Sequence, residues 1–332
     1  MRLNQLKLAI VLLCCLASLT WGADESNAKQ HAPLPKGVRA EWDIQYLPDG
    51  DPSQSLDIYL PDTPAEKPLP LVVWIHGGGW SGGSKSERAA VPLVLHGYAA
   101  ASVEYRFSQK AVFPAQIQDC QAAIRWLRAN SKKYNIDPDH IGVWGASAGG
   151  HLVALLGTAG GKKAFPMVGG NEDQSDRVQA VCDWFGPADF NTVMSQAAAD
   201  KTKNVFHFNT PGDPYSRLIG AELGVDHEKC DAVSPVHYVS KDNPPFLIMH
   251  GTTDALVPFA QSVELADDLK KAGVDVTLQR LPDSGHGGPA FGLPAVHQMI
   301  TRFFDRNLKG TDVKVEALPD SDVVVPAKSA AP

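Results

Sequence analysis

The sequence has no surplus of basic residues. Its 30 lysines and arginines are outnumbered by 37 aspartates and glutamates, which gives a formal net charge of -7 at pH 7. Nucleic acids and anionic membrane surfaces are bound through clustered basic side chains. We therefore expect neither kind of partner for this chain.

Cysteine is also scarce, and its spacing matches no metal-binding motif. Five cysteines are present, of which Cys14 and Cys15 fall in the first 22 residues. Cys120, Cys182 and Cys230 remain, and an odd number permits at most one disulfide within the mature chain. The sequence favours structural cysteines, either buried thiols or one disulfide pair, over metal ligands or a catalytic thiol.

Long apolar runs are missing except near the N terminus. Residues 8–21 are mostly apolar, follow two basic residues and are succeeded by small and polar ones. The run is shorter than the roughly 20 residues that a bilayer core requires, and Ser18 and Thr20 interrupt it. This pattern predicts a secretory signal peptide over residues 1–22, export to the periplasm or the medium, and no stable membrane span.

Beyond this segment, short apolar runs alternate with longer amphipathic ones, and 44% apolar residues suffice for a sizeable core. Pro114 opens a long predicted helix whose inner face carries Ile117, Ile124 and Leu127. Alternation of strands and helices implies crossover connections and a parallel sheet. We predict one doubly wound α/β domain with a mostly parallel sheet over residues 35–308. Its predicted strands are 55–60, 71–75, 98–105, 141–145, 178–185, 246–251 and 276–281.

Three segments fit this pattern poorly. Residues 158–177 and 191–238 are rich in glycine, aspartate and proline without a sustained period, and we expect small cap or rim insertions over a site there. Residues 309–332 have few apolar side chains to bury, which predicts a disordered tail.

Glycine and alanine crowd around Ser147 in "VWGASAGGHL". A G-x-S-x-G sequence between a predicted strand and a predicted helix favours a nucleophile elbow, in which small flanking residues avoid clashes around a strained serine. A glycine-rich turn is the alternative for an isolated match. The flanking strand and helix favour a nucleophile, which needs a neighbouring base because a free hydroxyl is barely ionised at neutral pH.

Asp254 and His286 are the candidate partners of Ser147. Asp254 follows the apolar run "FLIMHG", and His286 follows the next predicted strand in "LPDSGHGG". Both positions are carboxyl ends of strands, where α/β sheets gather their sites. For the carboxylate, Asp183, Asp189 and Asp283 remain alternatives. For the base, we expect structural roles for three other histidines, His76, His151 and His250.

The motif "HGGGW" at residues 76–80 places three glycines in a row. Such a run costs chain entropy and indicates backbone that approaches another group closely. We expect an oxyanion hole formed by the N–H groups of Gly78, Gly79 and Ala148. A phosphate-binding turn is the alternative, but no Lys-Ser/Thr pattern follows.

Together these motifs resemble the α/β-hydrolase superfamily, and within it secreted carboxylesterases related to acetyl-xylan and feruloyl esterases and to the hormone-sensitive-lipase-like group. The resemblance spans about residues 56–308 and includes "DIYLP", "VVWIHGGGW", "FPAQIQDCQAAIRWLR", "DWFGPADF", "SPVHYV" and "PPFLIMHGTTDALVP". It implies hydrolysis of short-chain or carbohydrate-linked esters through an acyl-enzyme formed on Ser147, without a metal or an organic cofactor.

Ala146 departs from the hormone-sensitive-lipase-like pattern, which usually has aspartate there, and so favours the acetyl or feruloyl esterases. The same fold also supports a formamidase, a peptidase or a non-catalytic binding module. The sequence leaves the natural substrate and the oligomeric state open.

Overall fold

The computed structural model describes residues 31–200 and 205–325. All elements named below belong to the unit that begins at Leu34. The described residues form one eight-stranded sheet, with strands β1 (Val38–Gln45), β2 (Ser55–Pro61), β3 (Leu69–Ile75), β4 (Ala99–Val103), β5 (Ile136–Ala146), β6 (Ala180–Trp184), β7 (Phe246–Gly251) and β8 (Val276–Leu281).

The strand order is β1-β2-β4-β3-β5-β6-β7-β8. Strand β2 runs antiparallel to both β1 and β4, and all other neighbours are parallel. The predicted doubly wound, mostly parallel sheet is confirmed. Because β3, β5, β7 and β8 run in one direction, the segments that follow them emerge at one edge of the sheet.

Helices cover both faces of the sheet. The α-helices are α1 (Ala115–Ala129), α2 (Ser131–Tyr134), α3 (Ala148–Ala159), α4 (Val193–Ala199), α5 (Pro214–Ile219), α6 (His227–Val233), α7 (Phe259–Lys271), α8 (Pro294–Lys309) and α9 (Asp320–Val323), with 3₁₀ turns at Lys85–Glu87, Val91–His96, Pro235–Tyr238 and Pro289–Gly292. Along β3, Val73 and Ile75 pack into the core shared with α1, α3 and α7, whereas Val72 and Trp74 pack into the core shared with α8. This period of two reflects side chains that alternate between the faces of a strand.

Strand β1 is not predicted from the sequence. It pairs at one edge of the sheet, and a register shift between Glu41 and Ile44 interrupts its pairing with β2. Most of its side chains are at least partly exposed. A bulge in an exposed edge strand breaks the alternation of apolar and polar residues by which strands are recognised.

The prediction of a disordered tail is wrong for residues 309–325. Val315 and Val323 are buried against the face that α8 covers. The Leu318 N–H donates to Gln279 Oε1 at 2.6 Å, and Asp320 pairs with Arg280 on β8 at 2.5 Å. A few spaced valines and one buried glutamine are enough to hold this extended segment. The rest of the tail and the predicted signal peptide lie outside the described residues.

The cysteines of the described residues are free thiols. Cys120, Cys182 and Cys230 are all buried, and none is in a disulfide. Of the two possibilities that the sequence leaves open, the structure has the buried thiols.

Candidate active site

Ser147 lies at a sharp turn between β5 and α3. Its backbone has φ 56° and ψ -121°, a region that non-glycine residues rarely adopt. The turn is held from both sides, since the Ser147 N–H donates to Trp184 O at 2.8 Å and Ser147 O accepts from the His151 N–H at 2.9 Å. The predicted strand–serine–helix geometry is therefore present.

The glycines around Ser147 prevent clashes with backbone. A methyl group on Gly149 would lie 2.0 Å from Ile75 O, and one on Gly145 would lie 2.4 Å from Gly149 O. Both distances are far below van der Waals contact. The prediction that these glycines give steric relief is confirmed, and it explains how α3 starts so close to β3.

Replacement of Gly149 with alanine is expected to lower the free energy of unfolding by about 3 kcal/mol, because the new methyl group must displace strand backbone. Helix propensity alone predicts the opposite sign, a gain of about 1 kcal/mol. Urea unfolding measures the difference. Gly170→Ala is the matched control because nothing lies within 4 Å of its added methyl group. An alanine at 149 that leaves stability unchanged would contradict the assigned close contact.

Asp254 and His286 come together at the edge where β7 and β8 end. His286 Nδ1 lies 2.7 Å from Asp254 Oδ2. An ionised carboxylate only accepts hydrogen bonds, so Nδ1 carries the proton and donates. Nε2 of the neutral ring is then the acceptor, the state that a general base requires.

The Asp254 carboxylate is almost fully buried and is held by several donors. Oδ1 accepts from the N–H groups of Leu256 and Val257 at 2.8 and 3.0 Å, and Oδ2 also lies 3.1 Å from His250 Nε2. Burial alone would raise the pKa of Asp254, but the hydrogen bonds from His250 and His286 outweigh it and lower the pKa. Asp254 is therefore ionised at neutral pH.

Ser147 and His286 line one cavity of about 440 Å³, together with Gly78 and Gly79. The remaining lining residues are Ser81, Phe185, Phe206, Gly212, Pro214 and Leu256. The structure thus brings four of the predicted site residues to one surface. Asp254 lies behind His286, and the buried Ala148 opens α3 next to Ser147.

The "HGGGW" loop passes over this cavity. Gly78 has φ 105°, and a methyl group there would lie 2.3 Å from Gly82 O, so the turn excludes other residues. Within the described part of the chain, the Gly78 and Gly79 N–H groups donate to no protein acceptor. Helix α3 leaves its first N–H groups, including that of Ala148, without intrahelical acceptors. The loop and the helix therefore offer free donors.

The other candidate histidines are fully buried and bonded within the protein. His76 Nε2 lies 2.7 Å from Glu104 Oε1 and so fastens the start of the glycine loop. His151 Nε2 donates to Val233 O at 2.7 Å, and its Nδ1 accepts from the Trp80 indole at 3.2 Å. Burial lowers the pKa of His151 to about 4, so this ring stays neutral. These contacts agree with structural roles.

The alternative carboxylates do not contact His286 within the described residues. Asp283 is exposed on the loop before it, and Asp189 Oδ1 accepts from the Asn191 N–H at 2.7 Å. Asp183 is buried on β6, where Oδ1 accepts from the Gly186 N–H at 2.9 Å. Burial raises the pKa of Asp183 to about 7, although the Gly186 bond opposes this.

The free energy of unfolding of Asp183→Asn, measured relative to wild type at the same pH, is expected to increase as the pH rises from about 4 to about 7. Over this range the folded wild type binds more protons than the unfolded chain, so wild type loses stability with rising pH and the variant does not. A shift from about 3.9 to about 7 corresponds to about 4 kcal/mol. Urea unfolding at several pH values measures it, with Asp283→Asn as the control. Parallel pH curves for wild type and Asp183→Asn would contradict the shifted pKa.

Several lining residues are not predicted from the sequence. The Phe185 ring lies 4.4 Å from the His286 ring, centre to centre, and follows β6 at the same sheet edge. In the sequence, Phe185 closes the apolar run predicted as the strand 178–185, and this terminal position was the available signal. Phe206 and Pro214 come from the segment 191–238, as expected of a rim insertion, whereas no residue of 158–177 lines this cavity.

Two further findings concern the described ranges only. No helix in them combines the length and apolar character that crossing a bilayer requires. No group of three or more histidine, cysteine or acidic side chains in them is arranged to hold a metal ion.

Comparison with protein families identifies the chain. The BD-FAE family model matches residues 56–269, which contain the glycine loop, the elbow and Asp254. The chain belongs to the BD-FAE family. This BD-FAE chain is 32% identical over 283 residues to the probable carboxylic ester hydrolase LipM of Mycobacterium tuberculosis, covering 81% of the chain and 62% of LipM.

Esterase LipQ of the same organism is 32% identical over 260 residues. This match covers 76% of the BD-FAE chain and 58% of LipQ. The chain thus spans about 60% of the length of LipM and of LipQ.

Solved structures similar to this BD-FAE chain have the α/β-hydrolase fold. A truncated carbohydrate esterase from gut microbiota is 33% identical, with a TM-score of 0.74 over 82% of this chain and 96% of that one. An acetyl ester-xyloside bifunctional hydrolase from Caldicellulosiruptor lactoaceticus is 27% identical, with a TM-score of 0.61. The match covers 83% of this chain and 96% of that hydrolase. The expected fold class and family resemblance are confirmed.

Proposed function

We propose that this BD-FAE protein is a serine hydrolase that cleaves carboxylic esters through an acyl-enzyme. One observation supports the proposal above all. Ser147, on a strained turn, lines the same cavity as His286, and Nδ1 of His286 lies 2.7 Å from the buried carboxylate of Asp254. That arrangement supplies a nucleophile, a base and a group that orients the base.

In the proposed reaction, Ser147 Oγ attacks the ester carbonyl while His286 Nε2 takes its proton. The imidazolium then returns this proton to the departing alkoxide, which leaves as an alcohol, and water deacylates Ser147 by the same steps. Asp254 holds the Nδ1–H tautomer and stabilises the imidazolium. Its lowered pKa keeps it ionised throughout the neutral range.

The oxyanion of the tetrahedral intermediate would be bound by the N–H groups of Gly78, Gly79 and Ala148. The first two line the cavity beside Ser147, and the third begins α3, where the helix dipole also favours negative charge. Each such donor contributes about 3 to 4 kcal/mol to the stability of a comparable transition state.

We propose short-chain or carbohydrate-linked esters, such as acetyl or feruloyl esters, as substrates. Among the similar structures are a carbohydrate esterase and an acetyl ester-xyloside hydrolase, and the cavity is lined by both aromatic and small residues. We also propose that the protein is exported, on the basis of the predicted signal peptide.

A formamidase or peptidase would use the same residues on a different bond, and a panel of purified substrates separates these functions. We expect p-nitrophenyl acetate, acetylated xylan or methyl ferulate to be hydrolysed faster than formyl anilides or peptides, with Ser147→Ala giving the background rate. Faster turnover of formyl anilides or peptides than of the esters would make the protein a formamidase or a peptidase instead of an esterase. A chain that turns over none of these compounds would favour a binding module.

A further inference from the structure

A second cavity, of about 410 Å³, shares no lining residue with the cavity of Ser147. Three aromatic side chains line it: the Phe165 ring lies 5.3 Å from the Phe113 ring and 5.6 Å from the Tyr238 ring, centre to centre. Ile219 extends the apolar surface. The volume and lining are those of a site for a small organic molecule.

Lys229 is the charged residue among those that line this second cavity in the described chain. Its Nζ lies 3.4 Å from Gly220 O and 3.4 Å from Asp226 Oδ2, and 49% of the side chain is exposed. Both contacts are long, so the ammonium can turn towards a ligand. The Tyr238 hydroxyl is already engaged, because it donates to Ala232 O at 2.8 Å. Apolar walls beside one cation match an apolar ligand with one negative group.

We propose that the second cavity binds a small carboxylate with an aromatic or branched aliphatic body, and that its occupancy is transmitted through α5 to the cavity of Ser147. The apolar body packs against Phe113, Phe165 and Tyr238, and the carboxylate pairs with Lys229. Acids released from esters belong to this chemical class. The effect on turnover therefore rests on the proposed function, whereas the binding does not.

Helix α5 connects the two cavities. Its first residue, Pro214, lines the cavity of Ser147, and its last, Ile219, lines the second cavity. Leu218 O accepts from the Phe113 N–H at 2.8 Å, which fastens the end of α5 to the aromatic wall. The helix is only six residues long, so a ligand that displaced its last turn as part of a rigid body would also move Pro214.

A second link runs through α6 to the nucleophile helix. Ala232 lines the second cavity and precedes Val233 in α6. Val233 O accepts from His151 Nε2 on α3 at 2.7 Å. One hydrogen bond thus connects α6, which a ligand in the second cavity would contact, to α3, the helix that follows Ser147.

Binding is tested by calorimetry with 3-phenylpropionate and its neutral analogue 3-phenylpropanamide, neither of which contains an ester. We expect the acid to bind wild type with a Kd of about 1 mM or below and the amide to bind about fivefold more weakly, because it lacks the charge that pairs with Lys229. Equal affinities would overturn the carboxylate assignment. The absence of saturable binding of the acid would overturn the site.

Variants locate the bound acid. Lys229→Gln is expected to weaken binding about fivefold, whereas Lys132→Gln, which removes an exposed lysine that lines neither cavity, leaves it unchanged. Ala164→Trp fills the cavity from an exposed position and is expected to abolish binding. If neither Lys229→Gln nor Ala164→Trp weakens binding, the acid occupies another site and the proposal is wrong.

Transmission has one readout without turnover and one with it. The acid is expected to slow hydrogen exchange in a peptide covering 214–220 and to change KM for p-nitrophenyl acetate at least about twofold. Both effects should need about fivefold more acid in Lys229→Gln and should vanish in Ala164→Trp. Binding without slowed exchange would overturn the role of α5. Slowed exchange in a protein that hydrolyses no ester would overturn the proposed function alone.

Discussion

Replacement of Ser147 with alanine is expected to lower kcat for p-nitrophenyl acetate by about 10⁵- to 10⁶-fold, because the residues of a triad act as one unit and its nucleophile has no substitute. The variant should remain folded, since an alanine deletes one hydroxyl from a side chain that faces the cavity. Initial rates, with thermal unfolding as the check on folding, measure the effect.

Ser81→Ala is the matched control for Ser147→Ala. Ser81 lines the same cavity, and its hydroxyl donates only a long hydrogen bond, of 3.4 Å, to Gly78 O. Its removal is expected to change kcat by less than about tenfold. Equal losses in the two variants, or near-wild-type turnover by Ser147→Ala, would remove the nucleophile from the mechanism.

Replacement of Asp254 with asparagine is expected to lower kcat/KM by about 10⁴-fold. Asparagine can still accept from the Leu256 and Val257 N–H groups, which hold the loop. Its amide would donate towards His286, so the histidine would turn its unprotonated Nδ1 to this amide and point an N–H at Ser147. The base would then be lost without loss of the fold.

Asp283→Asn is the control for Asp254→Asn. It changes an exposed carboxylate three residues before His286 and is expected to retain activity. If Asp283→Asn loses more activity than Asp254→Asn, Asp283 is the carboxylate of the triad.

The pH dependence of the free energy of unfolding is a second test of Asp254. Its lowered pKa contributes stability that is fully present above about pH 4 and is lost as the pH falls below that value. The stability deficit of Asp254→Asn should therefore shrink in acid.

The parallel part of the sheet is predictable because its strands are continuous apolar runs bounded by glycine or proline. Strands β3 and β7 are buried along nearly their whole length, and β5 is buried from Ile141 to Gly145, so the composition of these runs alone indicates strand. Strand β1 lies at the edge and contains a bulge, and its pattern does not repeat. The tail segment 310–325 depends on a few spaced contacts, which no local pattern indicates.

The candidate triad is predictable because each member lies in the segment that follows the carboxyl end of a predicted strand. The order of those strands brings Ser147, Asp254 and His286 to one edge, and the structure joins the last two by a hydrogen bond. Phe206 and Pro214 reach the cavity from an irregular segment, where sequence gives no register. His250 also lies at a strand end, and its full burial beside Asp254 agrees with the structural role expected for it.

Fluorophosphonate labelling tests the proposed nucleophile most directly. The full-length protein should take up one equivalent of probe, and peptide mapping should find it on Ser147. Labelling of His286→Ala should be slower by orders of magnitude, because the serine has lost its base. A wild-type protein that takes up no probe, or that is labelled at another serine, would contradict catalysis by Ser147 with His286 and Asp254.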